Sequence, residues 1–348
     1  MKRGALEVSM SKCALLGRMS LVALALGPSA CKKSSAPATG AAWTATDLGP
    51  GRLVALNASG QLLGIDPTFQ TFIVSDAGAR TSLPSFSDGG STVGTAIDGA
   101  GNVVGYSEDL TGRHAVRSTG GGAWSALDAG SSWSAAIGVS DDGDILGVAG
   151  TGTIAEMRAF ALANGAPVAL PLPSTADSAA YLGAAGRVAG VYETASGDTH
   201  AFVIASGALQ DLGTLGGANS APYGMSSSGE VVGVAELDGG VRHAFHASAA
   251  GAMTDLGVPA GMVSSDARGI DSLGRIAGNS YDPGGLGHPI VFTGGGVTVE
   301  LVSPDAGSTP FVSAYVAAMS PDGRIVGWGV PQSASDAPVH CILWTPGN

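Results

Sequence analysis

The sequence predicts an all-β protein, a seven-bladed β-propeller of four-stranded blades closed by pairing of its N- and C-terminal strands. Three observations predict it. A short signature of glycine, a polar or basic residue, two aliphatic residues and glycine recurs seven times, with 41 to 49 residues between copies, and a period in the low forties is that of a four-stranded propeller blade. Glycine accounts for 56 of 348 residues and proline for 18. At about 1 kcal/mol per glycine relative to alanine inside a helix, such a chain cannot be a helical bundle. Finally, a segment of the kind that ends each unit stands alone before the first unit, and one is missing after the last.

Charged residues make up 13% of the chain and hydrophobic ones 45%, the opposite of a disordered composition. The glycines do not fall every third residue, which excludes collagen.

Taken in order, the chain opens on Lys2, Arg3, Lys12 and Arg18, followed by the apolar run Met19 to Leu26. A basic segment, a short apolar core and small residues form a secretory signal, and eight apolar residues fall short of the roughly 20 that span a bilayer as a helix. The small residues ahead of Cys31 resemble a bacterial lipobox, with Pro28 where leucine is usual. The expected divisions are a signal over 1–30 with Cys31 lipidated, a flexible tether over 31–42 and the propeller over 43–348. Cleavage after Ala36-Pro37-Ala38 without lipid, or an uncleaved anchor, are the alternatives. Cys13 lies inside the signal, so Cys341 is left without a partner for an internal disulfide. Its apolar run HCILW marks it as a small buried hydrophobe. From residue 31 onward there are 12 basic and 27 acidic side chains. That balance disfavours nucleic acid, whose binding rests on Lys and Arg neutralising phosphates.

The signature stands at Gly60-QLL-Gly64, Gly101-NVV-Gly105, Gly143-DIL-Gly147, Gly186-RVA-Gly190, Gly229-EVV-Gly233, Gly274-RIA-Gly278 and Gly323-RIV-Gly327. Ahead of each copy lies a strand ending in Asn, Asp, Ser or Gly, which supply the backbone of a tight hairpin. The signature itself is the second strand. A third follows in FQTFIVS, HAVRST, RAFALA, HAFVIA, HAFHAS, HPIVFT and HCILWT, and a fourth in TSLP, WSALD, PVALPLP, LQDLG, MTDLG and TVELV. The seventh unit lacks a fourth strand, and Trp43 to Gly49 (WTATDLG) supplies it from the other end of the chain. Pairing of these ends closes the ring and removes the exposed sheet edges that invite aggregation.

The segments His200-Ala201-Phe202, Leu212-Gly213-Thr214-Leu215-Gly216-Gly217 and Ser220, with Glu230–Gly233 and the successor His243-Ala244-Phe245 and Asp255–Gly257, resemble the bacterial extracellular repeats of the HAF family. The resemblance covers about 43–348. Elsewhere the pattern is weaker: Arg158 replaces histidine, and Pro289-Ile290 replace Ala-Phe. It implies an exported, propeller-type repeat protein and carries no activity with it.

His114, His200, His243, His288 and His340 share one repeat position, with Gln70 and Arg158 in the other two units. A residue present once per blade is expected to hold its own blade together, because copies a blade apart cannot share one metal ion at about 2.0–2.2 Å. Asp141-Asp142-Gly143-Asp144 and Asp322-Gly323 are expected to be hairpin turns, since the ligand spacing of a calcium loop is absent. No GxSxG, HExxH or CxxC is present, and the tryptophans are expected in the core. No catalytic residue, metal ligand or cofactor is assigned.

Candidate binding residues gather between second and third strands, at one end of the ring: Asp66, Glu108, Asp109, Glu156, Tyr192, Glu193, Glu236, Asp238, Tyr281 and Asp282. Repeat insertions collect on one face, often the binding face. The expected function is that of an exported cell-envelope or extracellular binding scaffold for a protein or glycan, monomeric, and tied to a membrane only through a lipid. A polysaccharide hydrolase or lyase on the same loops, or a purely structural surface protein, are the other readings.

Overall fold

The computed structural model describes residues 43–86, 90–110, 112–127, 131, 133–150, 158–163, 166–168, 170–172, 178–184, 187–293, 297–302, 304, 311–332 and 337–347. These form seven four-stranded antiparallel sheets and no helix. Blade 1 comprises Arg52–Leu56, Leu62–Ile65, Thr71–Val74 and Arg80–Ser82; blade 2 Ser91–Ile97, Val103–Asp109, Gly112–Ser118 and Trp124–Ala126. Blade 3 comprises Trp133–Val139, Ile145–Gly150, Arg158–Ala163 and Ala166–Val168; blade 4 Ser178–Ala184, Arg187–Glu193, Thr199–Ala205 and Ala208–Gly213. Blade 5 comprises Gly216–Met225, Val231–Leu237, Arg242–Ala247 and Met253–Gly257; blade 6 Ser264–Ile270, Ile276–Tyr281, Gly287–Thr293 and Val297–Glu300. Blade 7 comprises Phe311–Met319, Ile325–Pro331 and His340–Pro346, and takes its fourth strand, Trp43–Pro50, from the start of the chain.

The register of that last pair runs from Trp43 opposite Pro346 to Pro50 opposite His340. The expected closure is therefore present. It is seen again at the centre, where the first strand of each blade lies against the first strand of the next all the way round, including blade 7 against blade 1. First strands thus line the central channel and fourth strands form the rim. An apolar layer fills each of the seven seams between neighbouring blades. Examples are Leu63, Val103 and Val116 between blades 1 and 2, and Leu53, Phe72, Val326 and Cys341 between blades 7 and 1. Cys341 is fully buried, and burial pushes its thiol up to about 12, consistent with a packing role.

Both signature glycines have physical causes. The first closes the hairpin between first and second strands with positive φ, 88° at Gly60 and 85° at Gly229, the left-handed conformation that side chains resist. Gly143 and Gly323 do the same, so the acidic segments around them are turns, as expected. The second glycine sits mid-strand opposite a β-bulge in the first strand, as between Pro222 and Gly224 beside Gly233. A Cβ there would overlap the carbonyl oxygen of Ala221 and crowd Phe245. The same glycine faces the phenylalanine of the third strand across the ladder, as Gly190 faces Phe202 and Gly233 faces Phe245. The missing side chain makes room for that ring.

Candidate functional site

The two faces of the ring differ. One carries the tight hairpins between first and second strands. The other, the loop face, carries the connections between second and third strands and between blades. At the loop face the HAF and DLG segments of one blade and a serine of the next form a hydrogen-bonded unit. His200 Nδ1 lies 2.9 Å from Asp211, Asp211 accepts the Gly213 N–H at 2.8 Å, and Ser220 donates to the Gly213 carbonyl. The Ser220 hydroxyl in turn accepts the buried Ala201 N–H at 2.8 Å. His243, Asp255, Gly257, Ser265 and Ala244 repeat the arrangement between blades 5 and 6. At the ring closure His340 pairs with Asp47 at 2.8 Å, and Asp47 accepts the Gly49 N–H. These histidines each tie the third strand of a blade to its fourth, as expected of a residue that holds its own blade together. In blade 6, His288 lies 3.4 Å from Glu300 and 3.6 Å from Asp282. The hydrogen bond with Glu300 outweighs burial and raises the His288 pKa, and the same bond lowers that of Glu300.

The described loop-face candidates are distributed over blades 1, 2, 4, 5 and 6, one or two to each. Asp66 caps its own loop, accepting the N–H groups of Thr68 and Gln70 at 2.8 and 2.9 Å. Burial would raise its pKa, but the hydrogen bonds from Thr68 and Gln70 outweigh it and hold it low. Glu108 pairs with Arg113 at 3.0 Å, and Asp109 lies 4.0 Å from His114. Glu236 accepts from Asn219 at 2.7 Å and lies 3.6 Å from Arg242. Asp282 accepts the Leu286 N–H at 2.9 Å. Glu193 ends a second strand opposite Thr199, and Asp238 is exposed in a loop. Tyr192 packs edge-on against His200 and Phe202. Glu156, like Cys31, lies outside the described residues. Among the described residues no three His, Cys, Asp or Glu side chains come close enough to hold a metal ion.

Tyr281 is different, because its hydroxyl leads inward. It donates to Asp266 at 2.7 Å. Asp266 is buried in the first strand of blade 6 and grips Arg268 through Nε and Nη2 at 2.9 and 2.7 Å. Asn279 donates to the same carboxylate at 3.0 Å and clamps the Val316 backbone of blade 7. Arg268 occupies the bulge of its inner strand, and Tyr223 the bulge of the preceding blade. Their side chains meet at 4.1 Å in a cation–π contact, strengthened where water is excluded. Burial opposes the Arg268 charge, yet Asp266 and its surroundings raise the arginine pKa above the ordinary value. Burial and the adjacent Asp266 hold Tyr281 well above the usual tyrosine range.

Beyond Tyr281 the arc continues through Tyr315 at 6.5 Å to Trp328, stacked on Tyr315 at 5.4 Å. Trp43, Trp124 and Trp344 are core residues as expected, but Trp133 and Trp328 are half-buried, each beside an arginine. Apart from Tyr281, sequence reading did not single out this cluster. Its signal is departure from the repeat: where blade 6 has Asp266 and Asn279, blade 5 has Ala221 and Val234.

Fold and site define a closed β-propeller with a polar and aromatic arc at one end of its channel. No family model matches the chain, and no curated protein matches it. Solved structures do. A streptogramin B lyase is similar with a TM-score of 0.56 at 11% identity, over 88% of this chain and 98% of that one. The β-propeller domain of the trilobed protease from Pyrococcus furiosus, described as having an open velcro topology, has a TM-score of 0.57 at 6% identity, over 85% and 95%. A prolyl endopeptidase structure has 0.58 at 9% identity, over 86% of this chain and 51% of that one. The chain thus spans about half the length of that endopeptidase. At these identities the likeness is one of fold.

Proposed function

We propose that the protein is an exported binding scaffold of the cell envelope or extracellular space, of the HAF-repeat kind, that takes a protein or glycan partner on its loop face at the mouth of the channel. One observation carries the reading: the non-repeated arc of Tyr223, Arg268 and Asp266 on the inner strands of blades 5 and 6, with Tyr281 at the end of the adjoining second strand. At the places of Asp266 and Asn279, blade 3 has Ala135 and Val148 and blade 5 has Ala221 and Val234, so aliphatic residues suffice for packing there. A buried ion pair is weak support for stability, so its presence at one end of a channel is better accounted for by recognition than by folding. Aromatic rings beside planar, hydrogen-bonding side chains suit a ligand with both apolar and polar surface.

Export rests on the basic segment, the apolar run and Cys31. The described chain enters the ring at Trp43, whose indole donates to Gly323 O in a hairpin turn. Trp43 thus lies at the face opposite the loops.

The test is a glycan array and a pull-down with the full chain, repeated with Tyr223→Ala, which leaves the Asp266–Arg268 pair in place. A ligand whose capture falls at least several-fold in that variant supports the reading, and a ligand captured equally by both counts against it. Cys31→Ser should release the protein from the membrane fraction, and an unchanged distribution counts against the lipid.

A further inference from the structure

The seam between blades 7 and 1 is built differently from the others at the loop face. In six blades the inner strand begins two or more residues ahead of the residue paired with the second signature glycine, as Ser264 precedes Ala267. In blade 1 it begins one residue ahead, with Arg52 before Leu53. The position of Ser220 and Ser265, two before the paired residue, is occupied here by Gly51, whose N–H donates to Val339 O at 2.8 Å. No side chain latches this seam from that position. Gly51 is itself buried and closely packed, and Arg52 follows it at the loop-face start of the inner strand.

Arg52 is half-buried, and among the described residues its guanidinium donates no hydrogen bond and forms no ion pair. Arg113, Arg242, Arg268, Arg275 and Arg324 each face a carboxylate. What holds Arg52 is the Trp328 ring, 5.5 Å from its Cζ, with Tyr315 stacked on that ring. Burial lowers its pKa with no opposing partner, a cost that an arriving anion would offset. The guanidinium fork matches a carboxylate through two parallel N–H donors.

We propose that Arg52, held against Trp328 at the loop face, forms a carboxylate-binding site, and that its ligand is the C-terminal end of a peptide. The inference rests on the loop-face binding reading and names its ligand chemistry. Charge selects the peptide. The chain has a net charge of −12, and its loops carry Asp66, Glu108, Asp238 and Asp282. A polyuronate, charged on every sugar, would be repelled. A peptide end brings one carboxylate on a neutral or basic body, which those acids accept.

The experiment is a titration of the full chain, followed by tryptophan fluorescence, with a mixed-sequence tetrapeptide library bearing free C-termini, with the same library amidated, and with trigalacturonate. The free acids should bind about tenfold or more tightly than the amides, the difference expected when a charged hydrogen-bonded pair is removed. Arg52→Gln should lose that preference and Arg52→Lys keep part of it, while Arg187→Gln, whose side chain bonds Ala249 O on the hairpin face, should retain it in full. Equal response to both libraries, or Arg52→Gln titrating like the parent, overturns the site. Preference for trigalacturonate overturns the peptide and reassigns the Arg52 site to an acidic glycan. If this titration fails while the Tyr223-dependent capture succeeds, this inference alone is refuted; failure of both refutes the broader reading too.

Discussion

Ser220→Ala tests whether the inter-blade unit carries stability. The Ser220 hydroxyl is buried, accepts from the Ala201 N–H at 2.8 Å and donates to the Gly213 carbonyl. Alanine removes both bonds while the backbone groups stay behind. Ala201 is fully buried, so water cannot replace the lost acceptor. An unsatisfied buried donor costs about 1–3 kcal/mol, and the Gly213 carbonyl, nearer the surface, adds at most a few tenths if water reaches it. The expected loss is about 2 kcal/mol, read as a lower urea midpoint at unchanged slope. Ser265→Ala, in the next seam and with no shared partner, should cost a similar amount, and the double variant roughly the sum. Ser59→Ala is the control. Its hydroxyl also bridges blades, to Gly99 O at 2.7 Å, but is exposed, and the change should stay within about 0.5 kcal/mol. If Ser220→Ala is as mild as Ser59→Ala, the claim that a buried hydroxyl holds the seam is wrong.

Two further outcomes follow from the geometry. Gly233→Ala places a methyl against the Ala221 carbonyl and Phe245, and overpacking of this kind costs about 1–3 kcal/mol. Gly239→Ala, in open space at φ 89°, should cost about 1 kcal/mol, so thermal denaturation should rank Gly233→Ala as the more damaging. The His288–Glu300 pair sets a pH window. The raised His288 pKa gives stability that is full below 6.5 and is lost as pH rises through the folded value. The lowered Glu300 pKa gives stability that is full above 4.5 and is lost as pH falls through its folded value. The difference in urea midpoint between parent and Glu300→Gln should therefore be largest between 4.5 and 6.5 and shrink on both sides. It should be small throughout, because Glu300 is largely exposed, and a difference that grows above pH 8 contradicts the pairing.

The sequence by itself determined the number of blades, the strand each segment supplies and the closure of Trp43–Pro50 onto His340–Pro346. Those features repeat, and a repeat states its own period and exposes the unit that is incomplete. It also identified the histidines as structural, since one copy per blade implies a role within each blade. The partners Asp211, Asp255 and Asp47 and the serines of the following blades lie 11 to 293 residues away, and only the folded ring brings them into contact. Loop acids such as Asp66 and Asp282 were legible as a clustered set, but not as caps of their own turns, because capping depends on backbone direction. Apart from Tyr281, the arc from Tyr223 to Arg52 was decided by tertiary structure alone. Its members sit in strands that pattern reads as core, and they come from four blades. They meet because inner strands converge on one axis, a consequence of ring closure that local chain physics does not encode.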